Sequence, residues 1–159
     1  MNQYYQLVKK IKEKESLGKP VLILIQGIPG AGKTTLAKRL CKSLGIRFYE
    51  ADQWFARSGT YKFEQEKLST AHQWCYNKVK GNLMHNQTCI CSNTLTASYF
   101  LEKYLDLASQ CNANYFLIKL CTEHKSVHNP PSEIIQIMRE QLNENPHIPD
   151  VTIYADYSA

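Results

Sequence analysis

Apolar residues in this chain occur as short continuous runs that alternate with longer segments of helical periodicity. Residues 21–25 read Val-Leu-Ile-Leu-Ile, which predicts a strand that is buried on both faces. Residues 33–44 carry apolar side chains three and four positions apart, and Gly45 follows them as a stop signal. Such alternation is typical of a parallel sheet covered by helices on both sides.

The same alternation continues to the end of the chain. Further strands are predicted at residues 47–51, 88–92, 114–120 and 151–154. Further helices are predicted at residues 64–85, 96–109 and 132–142. Residues 1–19 form a lysine-rich segment with an apolar stripe, which predicts an N-terminal helical extension. We therefore expect one α/β domain over residues 1–159, with a parallel sheet of about five strands.

A glycine-rich loop joins the first predicted strand to the first predicted helix. It matches the phosphate-binding pattern GxxxxGK(S/T) in full, with Gly27, Ile28, Pro29, Gly30, Ala31, Gly32, Lys33 and Thr34. Strand, glycine-rich loop and helix in this order are the context that the motif requires. The sequence thus predicts the three-layer fold of P-loop NTPases and kinases, with ligands at the carboxyl ends of the strands.

The loop residues suggest how ATP and Mg²⁺ would be bound. Glycines allow backbone N–H groups to approach phosphate oxygens, and the following helix adds its positive N-terminal end. Lys33 is placed to reach the β- and γ-phosphates, and the Thr34 hydroxyl to coordinate Mg²⁺. Thr35 is a further candidate contact, although a threonine there can equally donate locally.

Composition narrows the class of protein without selecting a function. The chain has 43% hydrophobic and 21% charged residues, as expected for a globular protein, and a net charge of +5. No apolar stretch approaches the roughly 20 residues that cross a membrane. The polar N-terminus does not resemble a secretory signal, so we expect a cytoplasmic protein with no membrane partner. The oligomeric state is not predicted.

Six cysteines raise the alternatives of disulfides or a metal site. They are Cys41, Cys75, Cys89, Cys91, Cys111 and Cys121. Their spacing contains no CxxC or Cys/His ligand pattern, and several of them fall on predicted apolar faces. Free, buried thiols in a reducing compartment are the favoured interpretation.

Beyond the phosphate loop, residues 51–55 read Ala-Asp-Gln-Trp-Phe and are followed by Tyr61, Phe63, Leu68, His72 and Cys75. This combination resembles the small P-loop kinases of the phage-type polynucleotide 5′-hydroxyl kinase family and their AAA-type ATP-binding relatives. The resemblance covers about residues 21–142. It implies that Asp52 acts as the general base that deprotonates the attacking hydroxyl.

Other residues of this stretch leave alternatives open. His72 shares a helix face with Leu68 and is either a structural histidine or a substrate contact. Trp54, Phe55 and Tyr61 either stack on a nucleobase or belong to the core.

The chain departs from the family pattern in two places. The third strand leads into Ser92 and Asn93, where the family usually has an acid that organises the metal. Mg²⁺ would then rest on Thr34, the phosphates and Asp52. The lid loop, residues 122–131, lacks the arginine that family members close over the phosphates, and Arg139 is the nearest candidate.

The favoured function is an ATP-dependent phosphotransferase acting on a hydroxyl, with the 5′-hydroxyl of a nucleic-acid end as acceptor. Lys33, Asp52 and Arg139 are its candidate catalytic residues, and Thr34 and Asp52 its candidate metal ligands. One alternative is a small-molecule kinase acting on a sugar, nucleoside or antibiotic. The other is an ATP-binding module with little catalysis, which the missing acid and the sparse lid would suit.

Overall fold

The computed structural model describes residues 2–120, 132–144 and 151–154. Within them, the helices are α1 (Gln3–Glu15), α2 (Lys33–Leu44), α3 (Asp52–Phe55), α4 (Leu68–Met84), α5 (Ser98–Gln110) and α6 (Ser132–Glu144). A short 3₁₀ turn, Gln65–Lys67, precedes α4. The strands are β1 (Val21–Gln26), β2 (Arg47–Tyr49), β3 (Cys89–Cys91), β4 (Asn114–Leu120) and β5 (Val151–Tyr154).

The five strands form one parallel sheet in the order β2-β3-β1-β4-β5. This confirms the predicted α/β fold and the number of strands. Strand β1 lies at the centre, and the chain leaves β1 and β3 toward opposite sides of the sheet. The crevice between their carboxyl ends is the place where open parallel sheets bind ligands.

Each face of the sheet has its own hydrophobic core, because successive side chains of a strand point to opposite faces. Val21, Ile23 and Ile25 of β1 pack in one cluster with residues of α1 and α2. Leu22 and Leu24 pack in the other cluster with α4 and α5. All five side chains are fully buried, which explains why β1 is apolar at every one of these positions.

Helix α2 begins and ends where the sequence pattern places it. Gly32 precedes it at φ 93° and Gly45 ends it at φ 66°, both in the left-handed region. The Gly45 N–H donates to the Cys41 carbonyl at 2.8 Å, which satisfies one of the free carbonyls of the last turn. This helix carries the phosphate loop at its N-terminus.

The remaining expectations are met in part. Strand β2 ends at Tyr49, two residues before its predicted end, and Asp52 begins a short helix that was not predicted. The cysteines in the described part of the chain, Cys41, Cys75, Cys89, Cys91 and Cys111, are free thiols. Cys121 and the loop at residues 121–131 lie outside the described residues. In the part of the chain that the structure describes, no helix is both long and apolar enough to cross a membrane.

Candidate active site

The glycines of the phosphate loop serve two different physical needs. Gly30 and Gly32 have φ values of 84° and 93°, a region that side chains with a Cβ rarely adopt. Gly27 has no such conformation. A Cβ at Gly27 would lie 3.1 Å from the Ala31 Cβ and 3.3 Å from the Leu120 carbonyl oxygen. A side chain at position 27 would thus crowd Ala31 and Leu120, whereas Gly30 and Gly32 supply the left-handed turn.

The apolar members of the loop fix it to the sheet. Ile28 and Ala31 are 4% and 1% exposed and belong to the core cluster that α1 and α2 cover. The Gly27 N–H donates to the Thr94 carbonyl at 3.1 Å, which ties the start of the loop to the segment after β3. The loop is thus held at its base, while Pro29 and Gly30 are only half-buried.

Lys33 lies folded back onto the loop. Its Nζ donates to the Ile28 carbonyl oxygen at 2.9 Å. Burial lowers the pKa of Lys33 to about 8, although the charges of Glu50 and Asp52 act in the opposite direction. A bound phosphate would offer the ammonium a charged acceptor in place of the carbonyl, as the sequence motif predicts for this lysine.

The Glu50 carboxylate contacts Thr34, one of the two predicted metal ligands, the other being Asp52. The Thr34 hydroxyl lies 3.0 Å and 2.9 Å from its two carboxylate oxygens. The Ser92 hydroxyl donates to Oε2 at 2.9 Å. Glu50 follows β2, Ser92 follows β3, and Thr34 opens α2, so three elements converge on one carboxylate.

Burial raises the pKa of Glu50, and the Ser92 and Thr34 hydrogen bonds oppose that rise because they stabilise the charged form. Glu50 was not among the site residues predicted from the sequence. The signal that could have found it is its position directly after β2, two residues before Asp52, at the edge where the phosphate loop lies.

Asp52 occupies a different environment, although it is only two residues away. Its side chain is exposed, and its Oδ1 accepts a hydrogen bond from the Tyr61 hydroxyl at 3.1 Å. Burial together with the Asp52 charge raises the pKa of Tyr61 to about 12, so the phenol stays protonated and donates. Asp52 is also close enough to Lys33 to favour its charged form.

His72 on α4 interacts electrostatically with Asp52. Burial lowers the pKa of His72, Asp52 opposes the shift, and Lys103 adds to it. The imidazole stacks on the Phe100 ring, with centroids 5.2 Å apart and planes inclined by 24°. His72 therefore has a packing role and lies within electrostatic range of Asp52.

The first departure from the family pattern, the lack of an acid at Ser92 and Asn93, is accompanied by a carboxylate from another part of the chain. Ser92 binds Glu50, so a carboxylate does lie next to Thr34, although it comes from β2 instead of β3. Asn93 is 7% exposed and its amide oxygen accepts a hydrogen bond from the Ala51 N–H at 2.8 Å. The side chain at position 93 thus binds the backbone between the two acidic residues.

The aromatic candidates separate by burial. Phe55 is 2% exposed and packs with Ala51 and Ala71, so it belongs to the core. Trp54 is half-buried, and the Arg57 guanidinium lies 3.5 Å from the centroid of its ring. Tyr61 makes the contact with Asp52.

The structure leaves the remaining candidates as predictions. Thr35 is exposed in the first turn of α2. Arg139 is exposed on α6, and its Nη1 donates to the Gln136 side-chain oxygen at 3.3 Å. The lid segment with His124, Lys125 and His128 lies outside the described residues.

The donor set around Thr34 fits Mg²⁺ better than a metal that prefers nitrogen or sulfur. Hydroxyl and carboxylate oxygens are the ligands of hard cations, and Mg²⁺ retains several waters when phosphates complete its shell. Among the described residues, no group of three or more His, Cys, Asp or Glu side chains could hold a metal ion by itself. A metal at this position would therefore depend on nucleotide phosphates.

Comparison with known proteins agrees with this geometry. Residues 22–129 match the family AAA_33, described as an AAA domain. Human NEDD4-binding protein 2 is 29% identical over 103 residues, which make up 63% of this chain and 6% of that protein. The chain thus spans only a small part of this relative.

Two solved structures share the fold over most of their length. Kti12 of Chaetomium thermophilum, in complex with ADP-AlF3, superposes with a TM-score of 0.64 at 15% identity, covering 87% of this chain and 90% of its own. A gluconokinase of Sinorhizobium meliloti superposes with a TM-score of 0.59 at 15% identity, covering 88% and 85%. Since the family match spans more than half of the chain and includes the phosphate loop, Glu50 and Asp52, this protein belongs to the AAA_33 family and has the α/β fold of P-loop kinases.

Proposed function

We propose that this chain is an ATP-dependent phosphotransferase that moves the γ-phosphoryl group of ATP to the 5′-hydroxyl of a nucleic-acid end. The observation that carries the proposal is the pair of carboxylates beside the phosphate loop. Glu50 is held by Thr34 and Ser92, whereas Asp52 is exposed and reachable by an acceptor. Two acids in unlike environments suit two unlike roles.

Asp52 has the role of general base in this proposal. Asp52 takes the proton of the acceptor hydroxyl while the oxygen of that hydroxyl attacks the γ-phosphorus. The bond from that phosphorus to the β,γ-bridging oxygen breaks, and ADP leaves. The Tyr61 hydroxyl, 3.1 Å from Asp52 Oδ1, donates a hydrogen bond that restrains the carboxylate.

Lys33 and the loop amides bind the phosphates, and the Lys33 ammonium balances charge on the transferred group. Mg²⁺ would supply positive charge to the phosphate oxygens when bound, and Thr34 and the adjacent Glu50 are the residues that would hold it. The lack of an acid at Ser92 and Asn93 suggested a binding module with little catalysis. Glu50 provides an acid beside Thr34 instead, which weakens that argument. Arg139 remains the candidate for the lid arginine.

The net charge of the chain and the surroundings of Asp52 favour a nucleic-acid end as the acceptor. A net charge of +5 suits a polyanion. His72 and Phe100 form a stacked pair within electrostatic range of Asp52, and Tyr99 next to them is 65% exposed. Aromatic rings beside a site that binds phosphates are suited to a terminal nucleobase. A small-molecule kinase is the second candidate, supported by the fold that is shared with a gluconokinase.

Transfer of labelled phosphate from ATP tests the proposal. The acceptors are single-stranded DNA and RNA with a 5′-hydroxyl, the same strands with a 5′-phosphate as matched controls, and a panel of sugars and nucleosides. We expect label on the 5′-hydroxyl strands alone. Label on a panel compound and on no strand would support the small-molecule kinase instead.

Two amide variants separate the roles of the acids. We expect Asp52→Asn to lower kcat by about 100-fold or more while the Kd for ATP changes by less than about threefold, as for loss of a general base. We expect Glu50→Gln to raise the Mg²⁺ concentration that gives half-maximal rate. Unchanged transfer by Asp52→Asn would contradict the assignment of the base.

A further inference from the structure

The segment from Glu50 to Asp52 carries both acids of the site and joins two very short elements, with Asp52 as the first residue of the second. Strand β2 has three residues and helix α3 has four. The Ala51 carbonyl accepts from the Trp54 N–H at 3.0 Å, which belongs to the first turn of α3. A connection this short needs support from outside itself to hold two side chains in fixed positions.

That support comes from a buried amide on the neighbouring loop. Asn93 lies two residues beyond β3 and is 7% exposed. Its Oδ1 accepts a hydrogen bond from the Ala51 N–H at 2.8 Å. Ala51 itself is 6% exposed, so this N–H is shielded from water and needs a protein acceptor.

The nitrogen of the Asn93 amide also has hydrogen-bond partners. The Asn93 Nδ2 donates to the Cys75 sulfur at 3.4 Å and to the Cys91 sulfur at 3.6 Å. Because the Ala51 N–H can only donate, the oxygen of the amide must face it, and the NH₂ group must face the sulfurs. The orientation of the side chain is therefore determined from both sides.

Ser92 and Asn93, which are consecutive, thus contact residues 50–52 in two different ways. Ser92 binds the Glu50 side chain, and Asn93 binds the backbone of the next residue. We propose that Asn93 is a positioning residue, which holds the Ala51 backbone so that Glu50 and Asp52 keep their places beside the phosphate loop. The catalytic consequence rests on the function proposed above, but the contact itself does not.

This role differs from that of a metal-organising acid at the same position. An acid there would have to reach Thr34, whereas the Asn93 side chain is directed to Ala51 and to two buried thiols. Asn93→Asp retains an oxygen acceptor for the Ala51 N–H but loses the donor to the sulfurs. We therefore expect this variant to leave the Mg²⁺ requirement unchanged.

The test combines amide exchange with kinetics on the purified chain. In Asn93→Ala we expect the Ala51 amide to exchange at least about tenfold faster relative to the core amide of Ile23, which reports the global stability. We also expect kcat to fall on the order of 10- to 100-fold while the Kd for ATP changes by less than about threefold. Asn93→Asp should keep the Ala51 amide protected and recover part of the rate.

Thr96→Val is the matched control. Thr96 is a 3% exposed polar residue of the same loop, and its hydroxyl donates to the Gln141 side chain at 2.9 Å, not to the acidic segment. We expect it to lower stability without a change in Ala51 exchange. Unchanged Ala51 exchange in Asn93→Ala, or a rate equal to that of Thr96→Val at equal loss of stability, would overturn the proposal.

The two proposals can fail separately. If the wild-type chain transfers phosphate to no acceptor, the function is wrong, and exchange at Ala51 still decides the role of Asn93. If Asn93→Ala does not fold, Asn93→Asp provides the test. Fast exchange of the Ala51 amide in that folded variant would contradict the proposal that a side-chain oxygen at position 93 holds the Ala51 N–H.

Discussion

At the scale of single residues, two carboxylates that are neighbours in sequence have unlike surroundings. Glu50 is half-buried and receives hydrogen bonds from Thr34 and Ser92, while Asp52 is exposed and contacts Tyr61. Residue type alone does not distinguish an acid that organises a metal from one that accepts a proton. In the proposed function, the different surroundings of the two carboxylates are the basis for their different roles.

Lys33 provides a prediction about pH. Its pKa of about 8 lies below the ordinary lysine value, so the free protein loses the ammonium charge as the pH rises through that value. Because the proposed function uses the charged form of Lys33 to bind ATP, we expect the affinity for ATP to fall about tenfold between about pH 7 and about pH 9. Titration calorimetry in buffers of different ionisation enthalpy measures both the affinity and the proton uptake on binding.

Lys33→Met is the control for this prediction. It removes the titrating group, so ATP should bind more weakly and the residual affinity should change little over the same pH range. A wild-type affinity that stays constant across the range would show that the Lys33 ammonium is retained in the free protein.

At the scale of elements, the helices show where the local sequence agrees with the structure and where it does not. Helix α4 contains Gly81 near its C-terminal end, although glycine weakens a helix interior. A Cβ at this position would meet nothing within 4 Å. Tertiary packing of Cys75, Val79 and Leu83 maintains the helix across this residue.

Gly81→Ala should therefore stabilise the protein. We expect the free energy of unfolding to rise by about 0.5–1 kcal/mol, because alanine lowers the entropy of the unfolded chain. Gly45→Ala is the matched control, since it also has open space but a φ of 66°. We expect it to cost about 1 kcal/mol. Urea denaturation measures both, and shifts of the same sign would contradict the argument.

At the scale of the whole molecule, the N-terminal helix is part of the core that lies behind the phosphate loop. Leu7 and Ile11 of α1 are 2% and 0% exposed and share a cluster with β1 and α2. The Tyr4 hydroxyl lies 2.6 Å from the Ser43 hydroxyl on α2. The predicted extension is thus docked on the helix that carries Lys33 and Thr34.

Ile11→Ala tests whether this docking contributes to global stability. We expect the free energy of unfolding to fall by about 2–5 kcal/mol, the usual cost of removing a fully buried isoleucine side chain. Lys10→Ala changes an exposed neighbour and should stay within about 0.5 kcal/mol of wild type. If Ile11→Ala behaves like Lys10→Ala in urea denaturation, α1 unfolds separately from the rest.

Most of the architecture could be predicted from the sequence, because its signals are local. The apolar run before the phosphate loop, the helix from Lys33 to Gly45 and the strand Asn114–Leu120 each follow from spacing within one segment. The motif placed Lys33 and Thr34 in one loop, and the position after the second strand placed Asp52 at the same edge. The prediction was less accurate near Asp52, because the strand predicted to reach residue 51 ends at Tyr49 and the four-residue helix α3 was not predicted.

The arrangement around Glu50 and Asn93 depended on tertiary structure. Glu50 meets Thr34 across 16 positions and Ser92 across 42, and Asn93 meets Ala51 across 42. Such contacts follow from the strand order, which sets β2 beside β3 and both beside the loop after β1. The sequence by itself therefore determined the candidate phosphate-binding site, because that site is formed within one loop. The different surroundings of the two acids were decided only by the packing of the sheet, because side chains from three separate segments meet there.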